Sequence, residues 1–161
     1  MDVRIVTAQT EDVPIVLDLI KALAEYERMS DLVVATEESL RMWLFGERPA
    51  AEVVLARVEG SVVGFALFFH NFSTFLGRPG LYLEDLFVMP EWRGCGIGRK
   101  LMEHLAGIAV GRGCGRMEWT VLDWNQPAIG FYDRIGARLL QDWRLCRLSG
   151  DGLRRLAAGT S

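Results

Sequence analysis

Two adjacent carboxylates, Glu84 and Asp85, precede an arginine that opens the segment Arg93-Gly94-Cys95-Gly96-Ile97-Gly98. A glycine-rich segment leading into a helix offers an anion several backbone N–H groups and the positive end of the helix dipole. It reads as a pyrophosphate cradle. Glycine suits such a cradle because a Cβ would hold phosphates away and because tight loops need positive φ. A substrate lying beside the bound anion would meet the carboxylates just upstream. That is the arrangement of an enzyme using a phosphate-bearing cofactor. The segment is not a P-loop, since no Gly-Lys-Ser/Thr follows at the required spacing. It is not a dinucleotide fingerprint either: G-x-G-x-x-G is unmatched after Gly94 and Gly96, and the loop lies past the middle of the chain.

Several elements must position these groups. Gly80 to Val88 reads as an apolar strand carrying the carboxylates. Neighbours on a strand point to opposite faces, so only one of Glu84 and Asp85 should face the substrate. The helix after the glycines should run to about Val110 and stop at Gly111. Upstream, Val3 to Thr7 alternates like a strand. Thr10 is placed to cap a helix to about Tyr26, with Val13, Val16, Leu17, Ile20, Leu23 and Ala24 as its buried stripe. Thr36, followed by Glu37 and Glu38, caps a second helix ending near Gly46. Ala51 to Val58 and Ser61 to Phe69 form strands joined at Glu59-Gly60. Asn71 to Gly80 reads as a loop and Arg116 to Leu122 as a strand. Pro127 starts a helix ending before Gly136. Leu139 to Leu148 supplies one or two final strands, with a frayed tail after Ser149. The order implies a mixed α/β sheet.

Composition narrows the class. A chain of 161 residues, half of them hydrophobic, fits one compact domain with a sizeable core. A net charge of −3 argues against nucleic acid. No apolar run reaches membrane-spanning length and no signal peptide is evident. Cys95, Cys114 and Cys146 are an odd set without metal-ligand spacing, and His70 and His104 are scattered, so no metal site is expected. A reduced, cytoplasmic protein follows.

The segments Leu81 to Asp85, Phe87 to Met89, Arg93 to Gly98, Trp124-Asn125, Phe131-Tyr132 and Gly136-Ala137 occur in an order that resembles the GNAT family of N-acetyltransferases. With Ala24-Glu25-Tyr26-Glu27 and Asn71 to Gly77, the likeness is to its diamine and thialysine acetyltransferase branch, and it extends to about Leu148. The resemblance implies one domain over residues 1–161, with a mostly antiparallel twisted sheet flanked by about four helices. It implies acetyl-CoA as cofactor, held by Leu86, Phe87, Val88, Arg93, Gly94, Cys95, Gly96, Ile97, Gly98, Asn125 and Tyr132. It also implies direct acetyl transfer to a small primary amine, and a homodimer.

Such a transfer faces a protonation problem. An alkylamine of pKa ~10.4 is neutral in about 1 molecule in 2,500 at pH 7, a deficit of roughly 4.6 kcal/mol. By resemblance, Glu84 removes that proton through a water, and a backbone N–H near Val88 meets the thioester carbonyl. Tyr132 acts as the acid for the departing thiolate; without the resemblance it would read as a packed helix tyrosine. Asn125 contacts the cofactor or, equally, caps the helix before Gln126-Pro127. Cys95 is rejected as a nucleophile because no His or acid partner is evident nearby. Tyr26, Glu27, Glu118, Trp119 and Thr120 resemble residues bordering the amine site. Thr74 stands where polyamine-acetylating relatives carry an acid, which favours thialysine and lysine-like amines or short diamines over long polyamines; Asp142 partly compensates. The competing readings are an acetyltransferase acting on a protein or peptide and a non-catalytic acyl-CoA sensor.

Overall fold

The computed structural model describes residues 1–160. The chain forms two compact units, Met1–Thr120 and the residues from Val121 onward. In the first, β1 (Val3–Thr7), α1 (Val13–Tyr26) and α2 (Glu37–Phe45) precede β2 (Glu52–Val58), β3 (Ser61–Ser73) and β4 (Arg78–Val88). Helix α3 (Ile97–Gly111) and a two-residue β5 (Met117–Glu118) complete it. The sheet runs in the order β1-β2-β3-β4-β5, antiparallel throughout except for the parallel β4–β5 pair. The second unit holds α4 (Gln126–Arg134) and α5 (Gly150–Ala157). The expected α/β class and mostly antiparallel sheet are present, with five α-helices where about four were expected.

The helix starts follow local chemistry. Thr36 Oγ1 accepts the Ser39 N–H at 3.1 Å, the expected cap of α2. Thr10 does not cap α1: it opens a 3-10 turn whose Asp12 carboxylate accepts the Gln9 N–H at 2.8 Å, and α1 begins after it. Leu19 takes a fully buried place on α1, while Ile20 and Ala24 are half-buried. At the β2–β3 turn both Glu59 (φ 49°) and Gly60 (φ 85°) are left-handed, as a two-residue hairpin requires.

Four further expectations fail. The Asn71-to-Gly80 loop is mostly strand: Asn71 pairs with Gly80, Phe72 with Pro79 and Ser73 with Arg78, leaving Thr74–Gly77 as the turn. The Arg116–Leu122 strand shrinks to Met117–Glu118, paired with Leu81 and Tyr82. Leu139–Leu148 forms no strand, and the tail is not frayed but folds as α5. In Leu139–Leu148 the apolar side chains, Trp143 at 80% exposed among them, face solvent, so the apolar pattern that suggested a strand is not buried.

The register of β4 decides what faces the site. Leu83 pairs with Phe68 and Asp85 with Leu67, so Glu84 is an extra residue in β4, a β-bulge. Leu81 and Leu83 share a face with Phe68, whereas Asp85 and Phe87 share the opposite face with Leu67 and Phe65. On that second face Phe65, Phe87, Leu55 and Val53 pack with Val16, Leu19 and Leu23 of α1 and Leu44 of α2. Each such side chain contributes roughly 1.5–3 kcal/mol on burial. Phe65 is fully buried. Strict alternation would have put Asp85 with Leu83; the bulge turns it towards α1.

Candidate active site

The Asp85 carboxyl is half-buried on the α1 side of β4, and its pKa is pushed up to about 6 by burial first, then by the charges of Glu84 and Glu27. Glu27 caps the C-terminal end of α1, and burial raises its pKa as well. Glu84 is exposed on the bulge. The three carboxylates form an acidic wall, and no arginine or lysine pairs with any of them within salt-bridge distance among the described residues. A carboxylate near pKa 6 is a better base than an ordinary one and is still mostly ionised at neutral pH. Asp85, assigned no role by sequence reasoning, is thus half-buried at the site with a raised pKa, while Glu84 stands exposed beside it. The signal that would have found it is the bulge, which a period-2 pattern hides.

Beyond Tyr82 the outer edge of β4 has no partner strand among the described residues. The Met89 N–H donates to Val63 O at 2.9 Å, which makes Gly64–Val88 a non-hydrogen-bonded pair. The N–H and C=O of Val88 therefore both point away from β3, to the open edge. Gly64 permits the close approach there, since a Cβ would sit 2.7 Å from Phe87 O. Arg93 Nε takes up the Val88 carbonyl at 3.0 Å. The Val88 N–H is left facing the open edge, where no strand pairs with β4 among the described residues.

The glycine loop follows directly. Gly94 (φ 75°) and Gly96 (φ 78°) are left-handed, and nothing lies within 4 Å of the position a Cβ would take at either. Gly96 caps α3 without a side chain, and the first N–H to reach back is that of Lys100, to Gly96 O at 3.1 Å. The N–H groups of Ile97, Gly98 and Arg99 have no intrahelical acceptor. Unobstructed glycines and N–H groups without intrahelical acceptors at the start of a 15-residue helix fit a pyrophosphate such as that of coenzyme A. Cys95 is exposed, with its Sγ 3.7 Å from Arg93 O.

The remaining expected residues are distributed as follows. Tyr26 ends α1 beside Glu27, and Leu86 follows Asp85 on β4. Thr74 sits in the β3–β4 turn, seven residues of strand from Asp85 or roughly 20 Å at about 3.3 Å per residue, so one chain does not bring it to the acidic wall. The Glu118 carboxylate is engaged by Arg116 Nε at 2.9 Å and Asn71 Nδ2 at 3.3 Å. Trp119 is half-buried and Thr120 exposed at the end of the first unit. In the second unit, Asn125 caps α4 by accepting the Ala128 N–H at 3.4 Å, and Tyr132 lies on α4 with its ring 5.4 Å from that of Phe131. Asp142 is exposed.

The acetyltransferase (GNAT) family model matches residues 17–137. The chain belongs to the GNAT acetyltransferase family. It is an acyltransferase enzyme. Among curated relatives, thialysine N-epsilon-acetyltransferase of Bos taurus is 41% identical, covering 96% of this chain and 97% of that protein. L-ornithine N5-acetyltransferase of Arabidopsis thaliana is 35% identical over 95% of this chain and 87% of its own length. An integron cassette protein from the mobile metagenome of V. cholerae superposes with a TM-score of 0.78 at 36% identity, covering 98% of both chains. No helix of this acetyltransferase is long and apolar enough among the described residues to cross a membrane, and no cluster of His, Cys, Asp and Glu there could hold a metal.

Proposed function

We propose that this enzyme transfers the acetyl group of acetyl-CoA directly to a small primary amine of the thialysine, lysine-like or short-diamine class. The observation that carries the reading is the Asp85 carboxyl, half-buried and raised to about 6 beside Glu27, without a cation of the protein. An ammonium entering that wall supplies the missing positive charge. Thialysine and ornithine, the amines in the names of the similar proteins, carry such a group.

Acetyl-CoA, when bound, supplies an acyl group on a thiol leaving group. The N–H groups of Gly94 and Gly96 to Gly98 hold its phosphates, and Leu86 to Val88 line its path along β4. Asp85 orients the ammonium and takes its proton, while the charges of Glu84 and Glu27 keep the Asp85 oxygen basic. The Val88 N–H donates into the open edge, where negative charge develops. Asn125 contacts the cofactor, and Tyr132 donates a proton from its phenol oxygen. Tyr26, Glu27 and Thr120 border the amine. A homodimer is supported by the apolar side chains that unit two leaves exposed, Leu139, Leu140, Trp143, Leu145 and Leu148.

Thiol release from acetyl-CoA is to be measured across thialysine, lysine, ornithine, putrescine, spermidine and a lysine peptide. Preference for the amino acids or putrescine is expected. Turnover confined to the peptide would overturn the substrate class, and silence on every acceptor would overturn the activity.

A further inference from the structure

The spacing of the glycine loop sets Arg93 among the phosphate-holding residues, but its side chain is committed elsewhere. Nε donates to Val88 O at 3.0 Å. The guanidinium carbon lies 4.4 Å from the centre of the Tyr26 ring and 5.3 Å from that of Phe87. Both fall within the roughly 6 Å at which a cation is held by an aromatic face. These contacts join three pieces of chain: the last residue of α1, the α1-facing side of β4, and the carbonyl that ends β4. A planar, weakly hydrated guanidinium suits such a stack, and a lysine ammonium does not.

We infer that Arg93 is a positioning residue for the amine side of the site and not a phosphate ligand. The inference rests on the acetyl-transfer reading. Its N–H fixes the strand end from which the Val88 N–H projects, and its face fixes Tyr26, whose neighbour is Glu27. One side chain thus sets the separation between the acidic wall and the Val88 donor. A phosphate contact needs chiefly positive charge; a clamp needs the plane.

Arg93→Lys and Arg93→Met separate the two. If Arg93 is a clamp, both lower kcat with the amine by about 10- to 100-fold, the loss typical of a misplaced reacting group. The Kd of free coenzyme A, measured by calorimetry, then stays within about threefold, a free-energy change well under that of a lost ionic contact. Tyr26→Leu, which lies outside the loop, gives the same split, and the double variant falls no further. Should Arg93→Met fail to fold, Tyr26→Leu alone decides between kcat and Kd. A Kd raised tenfold or more in Arg93→Met, restored by Arg93→Lys with kcat near wild type, would overturn the inference. Wild-type protein silent on every amine would remove the acetyl-transfer reading alone. In that case the urea midpoints of the Arg93 and Tyr26 single and double variants still decide: non-additive losses support the clamp and additive losses sink it.

Discussion

Asp85 and Glu52 are both half-buried acids on strands of the same sheet, and the protein drives them in opposite directions. Glu52 is gripped by Arg112 through two bonds of 2.6 and 2.9 Å, and its pKa is lowered, chiefly by that hydrogen bonding. Arg112 NH1 also lies 2.9 Å from His70 Nε2, and His70 Nδ1 lies 3.1 Å from Gly80 O, an arrangement that fits the tautomer protonated at Nδ1. Asp85 has no such cation, and burial, Glu84 and Glu27 raise it to about 6. A carboxylate matched by the protein's own arginine is finished; one left unmatched is held ready for a charge from outside.

The largest break in this comparison is Asp85→Asn. It should lower kcat/KM for the amine by about 10²- to 10⁴-fold, the range of a lost general base, with coenzyme A affinity retained. It should also remove the rise in activity through about pH 6 that the wild-type pH–rate profile is expected to show. Retained activity and an unchanged profile would return the base to Glu84 or to water.

Stability should divide the two acids next. A carboxyl whose folded pKa is raised stabilises below its unfolded value, and that contribution is lost as pH rises through the folded value. For Asp85, moving from 3.8 to about 6, the loss between pH 4 and pH 7 is on the order of 3 kcal/mol at about 1.4 kcal/mol per unit. Urea unfolding of wild type against Asp85→Asn should show a pH-dependent gap of this sign. Glu52 behaves inversely: its contribution is present above the unfolded value and fades as pH falls through the lowered folded one.

A smaller effect sharpens the comparison from within the wall. Glu27→Gln removes one charge that raises Asp85, so the acidic limb of the pH–rate profile should move to lower pH. An unmoved limb would detach Glu27 from the site. The smallest effect is Arg112→Met. The pair with Glu52 is 42–43% exposed, so screening limits its loss to under about 1 kcal/mol, with kcat unchanged. A tenfold fall in kcat would mean the two regions are coupled.

The sequence made the helices, the two hairpin-forming strands and the glycine loop legible, because each has a local cause: Thr36 as a cap, Glu59-Gly60 as a turn, Gly94 and Gly96 before an amphipathic run. Alternation put Glu84 and Asp85 on opposite faces without saying which one meets the substrate, and Glu84 was favoured by family resemblance alone. The bulge arises from how β3 and β4 settle their pairing, a contact between segments that no window of either one contains. Leu139–Leu148 misled for a related reason. Its pattern is that of a buried strand, and pattern alone does not say what buries it. Thr74 was assigned to the amine site from its place in a motif, and the pairing of β3 with β4 places it in their turn, a feature the motif does not show.

The extra residue at Glu84 also divides β4 into two reading frames. Before it, Leu81 and Leu83 belong to one layer of the molecule; after it, Asp85 and Phe87 belong to the other, although all four are odd-numbered neighbours. Were Glu84 paired in register with Leu67 instead, the second half of the strand would turn inside out, driving a carboxylate into one layer and pulling a phenylalanine out of the other. A single amino acid without a partner thus keeps the chemistry of this chain on its outside edge and its oil within.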